Sequence, residues 1–160
     1  MIFFILYIMG GTNEYLDNER LEKERNEFLK WKNSICCEGN PQKGDSEWNI
    51  IMDGPLDSPY MGGKFKIKIT FNKDYPSTKP KFEFLTPICH INIDGHHICL
   101  GSLDSYNNNS SVIKALSEIF MMLTSPNEKS AYSKYRDLYI KDYAGYLKKA
   151  REMTKEYAKI

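Results

Sequence analysis

The most regular pattern in the chain runs over Lys64-Phe65-Lys66-Ile67-Lys68-Ile69-Thr70-Phe71, where polar and apolar residues alternate at every position. Side chains two apart share a face of an extended strand, so the stretch predicts a strand with one buried and one wet face. That is the habit of an antiparallel sheet. Glu47 to Asp53 repeats the alternation with Trp48, Ile50 and Met52 on one side, and Lys81 to Leu85 does so briefly with Phe82 and Phe84. Turn-forming clusters separate these runs: Gly39-Asn40-Pro41, Gly44-Asp45-Ser46, Asp53-Gly54-Pro55, Ser58-Pro59, and Asp74-Tyr75-Pro76 with Lys79-Pro80.

Helical spacing lies on either side. Residues 14–33 are charged, with Leu21, Phe28 and Leu29 at i, i+7 and i+8, which predicts an amphipathic helix ending before Ser34. A second helix is predicted from Val112, with Ile113, Leu116, Phe120 and Leu123 on one face and Ser110 or Ser111 as N-cap. It stops near Ser125-Pro126-Asn127. A short helix is expected around Ala131 to Tyr139. A last helix, from about Asp142, has a core-facing stripe of Tyr143, Tyr146, Leu147, Ala150, Met153 and Tyr157. Residues 86–111 have no long periodic element, and a loop of that length inside a domain is usually functional or disordered. Strands grouped together with helices at the ends predict an α+β fold with a meander, not an alternating parallel one.

Composition narrows the setting. The chain has 160 residues, 41% hydrophobic and 27% charged, which suits one folded domain. Lys+Arg 22 against Asp+Glu 21 leaves a net charge of +1, which argues against nucleic-acid binding through a basic whole surface. The charge is uneven: from Glu128 to Ile160, nine Lys/Arg face five Asp/Glu. Four cysteines, two of them adjacent (Cys36, Cys37) and none in a CxxC pair, suit a reducing intracellular compartment rather than a disulfide framework. Met1 to Met9 is an unbroken apolar run, but about 20 residues are needed for a membrane-spanning helix. Residues 1–13 are therefore read as an apolar N-terminal extension to a core domain over 14–160, with no transmembrane segment. A tail, a docking segment and a true start at Met9 all remain open for the extension.

Cys89 to Cys99 holds all three histidines and two of the four cysteines. Three chemistries compete for it. Zinc would suit the residue types, but Cys89-His90 and His96-His97 are adjacent pairs without the usual ligand spacers. A Cys–His hydrolase needs thiol and imidazole brought together from distant segments, and no histidine lies outside this loop. A thiol that carries an acyl group as a thioester needs no strong base, only access and an oxyanion stabiliser such as the Asn92 amide. Chemistry alone does not choose decisively among them.

The order of residues does. Arg20-Leu21-x-Lys23-Glu24, Trp48, and Gly54-Pro55-x-Asp57-Ser58-Pro59-Tyr60-x-Gly62-Gly63-x-Phe65 occur in turn. They are followed by Phe71-x-x-Asp74-Tyr75-Pro76-x-x-x-Pro80, His90-x-Asn92-Ile93, Gly95, Ile98-Cys99-Leu100 and Pro126-Asn127. In this order and spacing the chain resembles the ubiquitin-conjugating enzyme family over nearly all of residues 16–158. The resemblance implies an N-terminal helix, a four-stranded antiparallel meander and C-terminal helices. It implies that Cys99 takes ubiquitin, or a ubiquitin-like modifier, from an activating enzyme and passes it to a substrate lysine or a ligase. Asn92 would stabilise the oxyanion or order the active-site loop, His90 would brace that loop, and Ser130 would lie near the attacking lysine or cap a helix. Cys36, Cys37 and Cys89 match no catalytic position. Arg20, Lys23, Arg25 and Lys30 would dock the activating enzyme. No cofactor is expected on this chain, which has no phosphate-cradling loop, and ATP would be consumed by the activating enzyme. The location implied is cytoplasmic, nuclear or both. The alternative is a non-catalytic domain of the same fold that only binds ubiquitin.

The chain also departs from the family pattern. Ile91 stands where the family has proline, and the step from Asn92 to Cys99 is one residue shorter. Gly101 replaces the common Asp, Asn or Ser. Asn107-Asn108-Asn109-Ser110 replaces a Trp-Ser-Pro-Ala-like stretch, and Ser77 replaces an aromatic residue. The last two changes fall in loops where ligases dock in that family.

Overall fold

In the computed structural model, which describes residues 16 and 18–159, helix α1 spans Glu19–Trp31. The 1–13 extension lies outside the described residues. Asn18 caps α1 by accepting from the amides of Arg20 and Leu21, and Leu21, Glu24 and Phe28 form its buried face. The helix is shorter than the charge pattern predicts. Leu16 lies before it and donates its amide to Gly44 O at 2.8 Å. A 3-10 turn, Lys32–Ile35, leads into Cys36, which sits in the left-handed region at φ 53°.

Four strands follow: β1 (Cys37–Glu38), β2 (Glu47–Asp53), β3 (Lys64–Thr70) and β4 (Lys81–Phe84). They pair antiparallel in chain order, with Cys37 opposite Met52, Ile50 opposite Ile67 and Ile69 opposite Phe82. Trp48, Ile50, Met52, Phe65, Ile67, Ile69, Phe82 and Phe84 are all buried, as the period of two requires. Each contributes roughly 1.5–3 kcal/mol by leaving water. Phe28 of α1 joins this face through Trp48, with ring centroids 5.9 Å apart. Gly54, just past β2, is needed for space: a Cβ there would lie 1.7 Å from Tyr60 O.

The stretch 86–111 is less irregular than its lack of periodicity suggests. Ile93–Asp94 (β5) and His97–Ile98 (β6) form a two-stranded antiparallel hairpin, and Gly101–Asp104 is a short helix, α2. The long helix α3, Val112–Thr124, begins at Ser111, whose side chain accepts from Lys114 N. Its buried face is Val112, Ala115, Leu116, Ile119, Met122 and Leu123, so the predicted stripe is rotated and Ile113 and Phe120 are only half-buried.

A 3-10 turn at Glu128–Ser130 precedes α4 (Arg136–Lys141) and α5 (Tyr143–Tyr157). Helix α4 starts five residues later than expected. Tyr132 and Ser133 both spend their amides on Ile91 O, which holds residues 131–133 out of a helix. On α5, Tyr146, Ala150 and Met153 are buried as predicted, while Tyr143 and Tyr157 are exposed and Thr154 is buried instead. The end of α5 closes onto the sheet through Lys64 N to Ala158 O at 3.0 Å. Among the described residues no helix is long and apolar enough to cross a membrane.

Candidate active site

The hairpin β5–β6 positions Cys99. Its two-residue turn is Gly95-His96, with Gly95 at φ +57°, a conformation glycine adopts without the Cβ penalty. The tip is fastened to β4: Phe84 N donates to His96 O, and His96 Nδ1–H donates to Phe84 O, both at 3.0 Å. Cys99 extends the ladder, donating its amide to Asn92 O at 2.8 Å. Ile93 and Ile98 face the core while Asp94 and His97 face outward. The shorter step from Asn92 to Cys99 is thus accommodated as a tight hairpin.

The cysteines separate by environment. Cys37 and Cys89 are buried, and burial pushes each thiol up to about 12, which keeps them protonated and unreactive. Cys36 is exposed and Cys99 partly exposed. Of the loop's two cysteines, only Cys99 can be reached from solvent.

Asn92 is completely buried and joins three segments. Its backbone carbonyl holds Cys99. Its side-chain oxygen accepts from Asn127 N at 2.9 Å and its Nδ2 donates to Asn127 O at 2.8 Å. A second, longer contact runs from Nδ2 to Ser130 Oγ at 3.4 Å. The structure therefore brings Asn92 and Ser130 together, and it spends the Asn92 amide on the 127–130 loop. Asn127 was not singled out from the sequence as a site residue. Only its place in the Pro-Asn pair hinted at it.

His90 is buried, with both ring nitrogens occupied. Nδ1 accepts from Asn92 N and Nε2–H donates to Met122 O, each at 3.0 Å. Burial pushes this imidazole down to about 4, with the Met122 hydrogen bond opposing the shift. The ring is neutral and braces the loop. Ile91, in the place of the family proline, puts its side chain wholly in the core and its carbonyl under Tyr132 and Ser133. Ser133 Oγ adds a bond to His90 O at 2.8 Å. Among the described residues no three His, Cys, Asp or Glu side chains converge as a metal-binding group.

The basic residues of α1 differ from one another. Arg20 is engaged within the chain: it pairs with buried Glu24 at 2.7 Å and donates to Asn108 O and Ser110 O. Glu24 also accepts from Tyr75 OH at 3.1 Å and Val112 N at 2.9 Å. Arg25 donates to Pro41 O at 2.8 Å and lies 3.7 Å from Glu22. Lys23 and Lys30 are exposed on the outer face. A carboxylate at i+3 between Leu21 and Phe28 was the available sign that Glu24 is buried.

Comparison with known proteins bears on the family and the fold. The family model described as ubiquitin-conjugating enzyme matches residues 20–154. A protein of Acanthamoeba polyphaga mimivirus named "Probable ubiquitin-conjugating enzyme E2 L460" is 34% identical over 117 residues, covering 71% of this chain and 74% of its own. The ubiquitin-conjugating domain of Toxoplasma gondii TgTwinScan_2721 superposes with a TM-score of 0.76 at 29% identity, covering 88% of this chain and 97% of that one. A Plasmodium yoelii crystal structure, classed by inference as a ubiquitin-conjugating enzyme, gives 0.79 at 27% identity, covering 96% and 99%.

Proposed function

The chain belongs to the ubiquitin-conjugating enzyme family, and from that premise we propose that Cys99 carries ubiquitin, or a ubiquitin-like modifier, as a thioester. The observation that carries the reading is the position of Asn92. Its carbonyl fixes the Cys99 backbone and its side chain fixes the Asn127–Ser130 loop, so the segment that carries the reachable thiol and that loop are held by one residue.

In the first step the Cys99 thiolate attacks the thioester carbonyl held by the activating enzyme. A new C–S bond forms, the old one breaks, and the activating enzyme's thiolate leaves. ATP is spent on that enzyme, not on this chain. In the second step a lysine amine, or a ligase thiol, attacks the Cys99 thioester and Cys99 departs. Asn92 holds the loops in register for the attack, His90 fixes Asn92 as a neutral brace, and Ser130 lies on the acceptor side. Lys23 and Lys30 offer exposed cations for the activating enzyme, the Lys30 ammonium resting 5.0 Å from the Trp31 ring centroid, while Arg20 and Arg25 hold α1 in place for it. The expected setting is the cytoplasm or nucleus.

The test is a charging reaction with activating enzyme, ATP and a panel of modifiers, read on a non-reducing gel. A band heavier by one modifier, removed by thiol reductant and absent in Cys99→Ala, is expected. Cys99→Ser yields a reductant-resistant ester. Absence of an adduct with every modifier overturns the reading.

A further inference from the structure

Beside the Cys99 thiol stands an aromatic pair that the family resemblance did not single out. His97 lies directly opposite Asp94 in the hairpin, and both face solvent. Side chains alternate along an extended chain, so Cys99 returns to the His97 side after buried Ile98. Tyr132 packs against His97 on this same side. Its ring meets the His97 ring edge to face, with centroids 5.7 Å apart, and its hydroxyl reaches His97 O at 3.5 Å. Tyr132 is 44% exposed, yet its own amide and that of Ser133 both donate to Ile91 O, and Ser133 Oγ donates to His90 O. Its hydroxyl is pushed up, chiefly by partial burial and less by the acidic groups of the loop.

We propose that Tyr132, braced by His97, is the wall along which an acceptor lysine reaches the Cys99 thioester. This rests on the thioester reading above and adds how the acceptor is recognised. A lysine has a long apolar stem and a cationic tip. An exposed aromatic face takes the stem by contact and attracts the cation, and Asp94, opposite His97 in the hairpin, adds negative charge at the approach. The ammonium releases one proton to water. The free amine attacks the thioester carbonyl, the C–N bond forms as the C–S bond breaks, and the nitrogen's surplus proton goes to the departing Cys99 sulfur. A small neutral nucleophile has neither stem nor charge and gains nothing from the wall.

That contrast is the test. Wild-type chain, Tyr132→Ala and Tyr132→Phe are charged with ubiquitin, or with whichever modifier charges the wild type, and charging is then stopped. Discharge is followed with free lysine and, separately, with hydroxylamine. Tyr132→Ala is expected to lower the lysine-to-hydroxylamine rate ratio roughly five- to tenfold, mainly through a higher KM for lysine. Tyr132→Phe restores the ratio. An equal slowing with both nucleophiles would mean that the ring only props the site, and no slowing would mean that the acceptor passes elsewhere. Either result overturns the proposal while leaving the thioester intact. A wild-type chain that never charges is a different outcome, and overturns the reading on which the proposal stands.

Discussion

His90 connects local bonding to acid sensitivity. Folded, it stays neutral down to about pH 4, whereas in the unfolded chain it takes up a proton near 6.5. Between those values the unfolded state binds the extra proton, so stability is complete above pH 6.5 and falls as pH drops toward 4. The full loss is about 3 kcal/mol. Urea midpoints measured from pH 7 to 4.5 are expected to fall less steeply in His90→Gln, whose amide can both accept and donate without titrating. Parallel curves would place the acid sensitivity in other groups. The candidate site residues legible in the sequence were those close together along the chain: His90, Asn92 and Cys99 fall within ten positions. Tyr132 and Asn127 were not legible, because their contacts with this loop span some 35 residues. No local pattern encodes a distance of that kind.

At the level of elements, legibility depended on length and on which face stays wet. Strand β3 was plain because seven residues alternate in solvent and core. Strands β1, β5 and β6 have two residues each, too few to show a period. Helix α4 was misplaced because Tyr132 and Ser133 give their amides to Ile91 instead of to a helical turn. The hairpin makes its own forecast. Gly95 has open space around its missing Cβ, so Gly95→Ala should cost only the left-handed backbone, about 1 kcal/mol. That corresponds to a fall in Tm of roughly 2–4 °C for a domain of this size. Gly95→Asn should lose less, since asparagine tolerates that region. A larger loss in Asn than in Ala would show that the turn is not limited by backbone strain.

Across the whole molecule, the buried Glu24 carboxylate binds parts far apart in sequence. It receives Arg20 and Tyr75, and it caps the first amide of α3 at Val112. Through Arg20 it also holds the carbonyls of Asn108 and Ser110. Glu24→Ala would leave several buried donors without an acceptor, and a loss of about 3 kcal/mol is expected in urea unfolding. A loss below 1 kcal/mol would mean that water replaces the carboxylate.

The same wiring bears on the timing of motion. The asparagine-rich run before α3 has the composition of a loop that opens on its own, yet its carbonyls are gripped by an arginine from the first helix. Val112 therefore should not exchange its amide hydrogen by local fraying. It should exchange with the amides of α1, as one cooperative unit, and the first and third helices should come apart together.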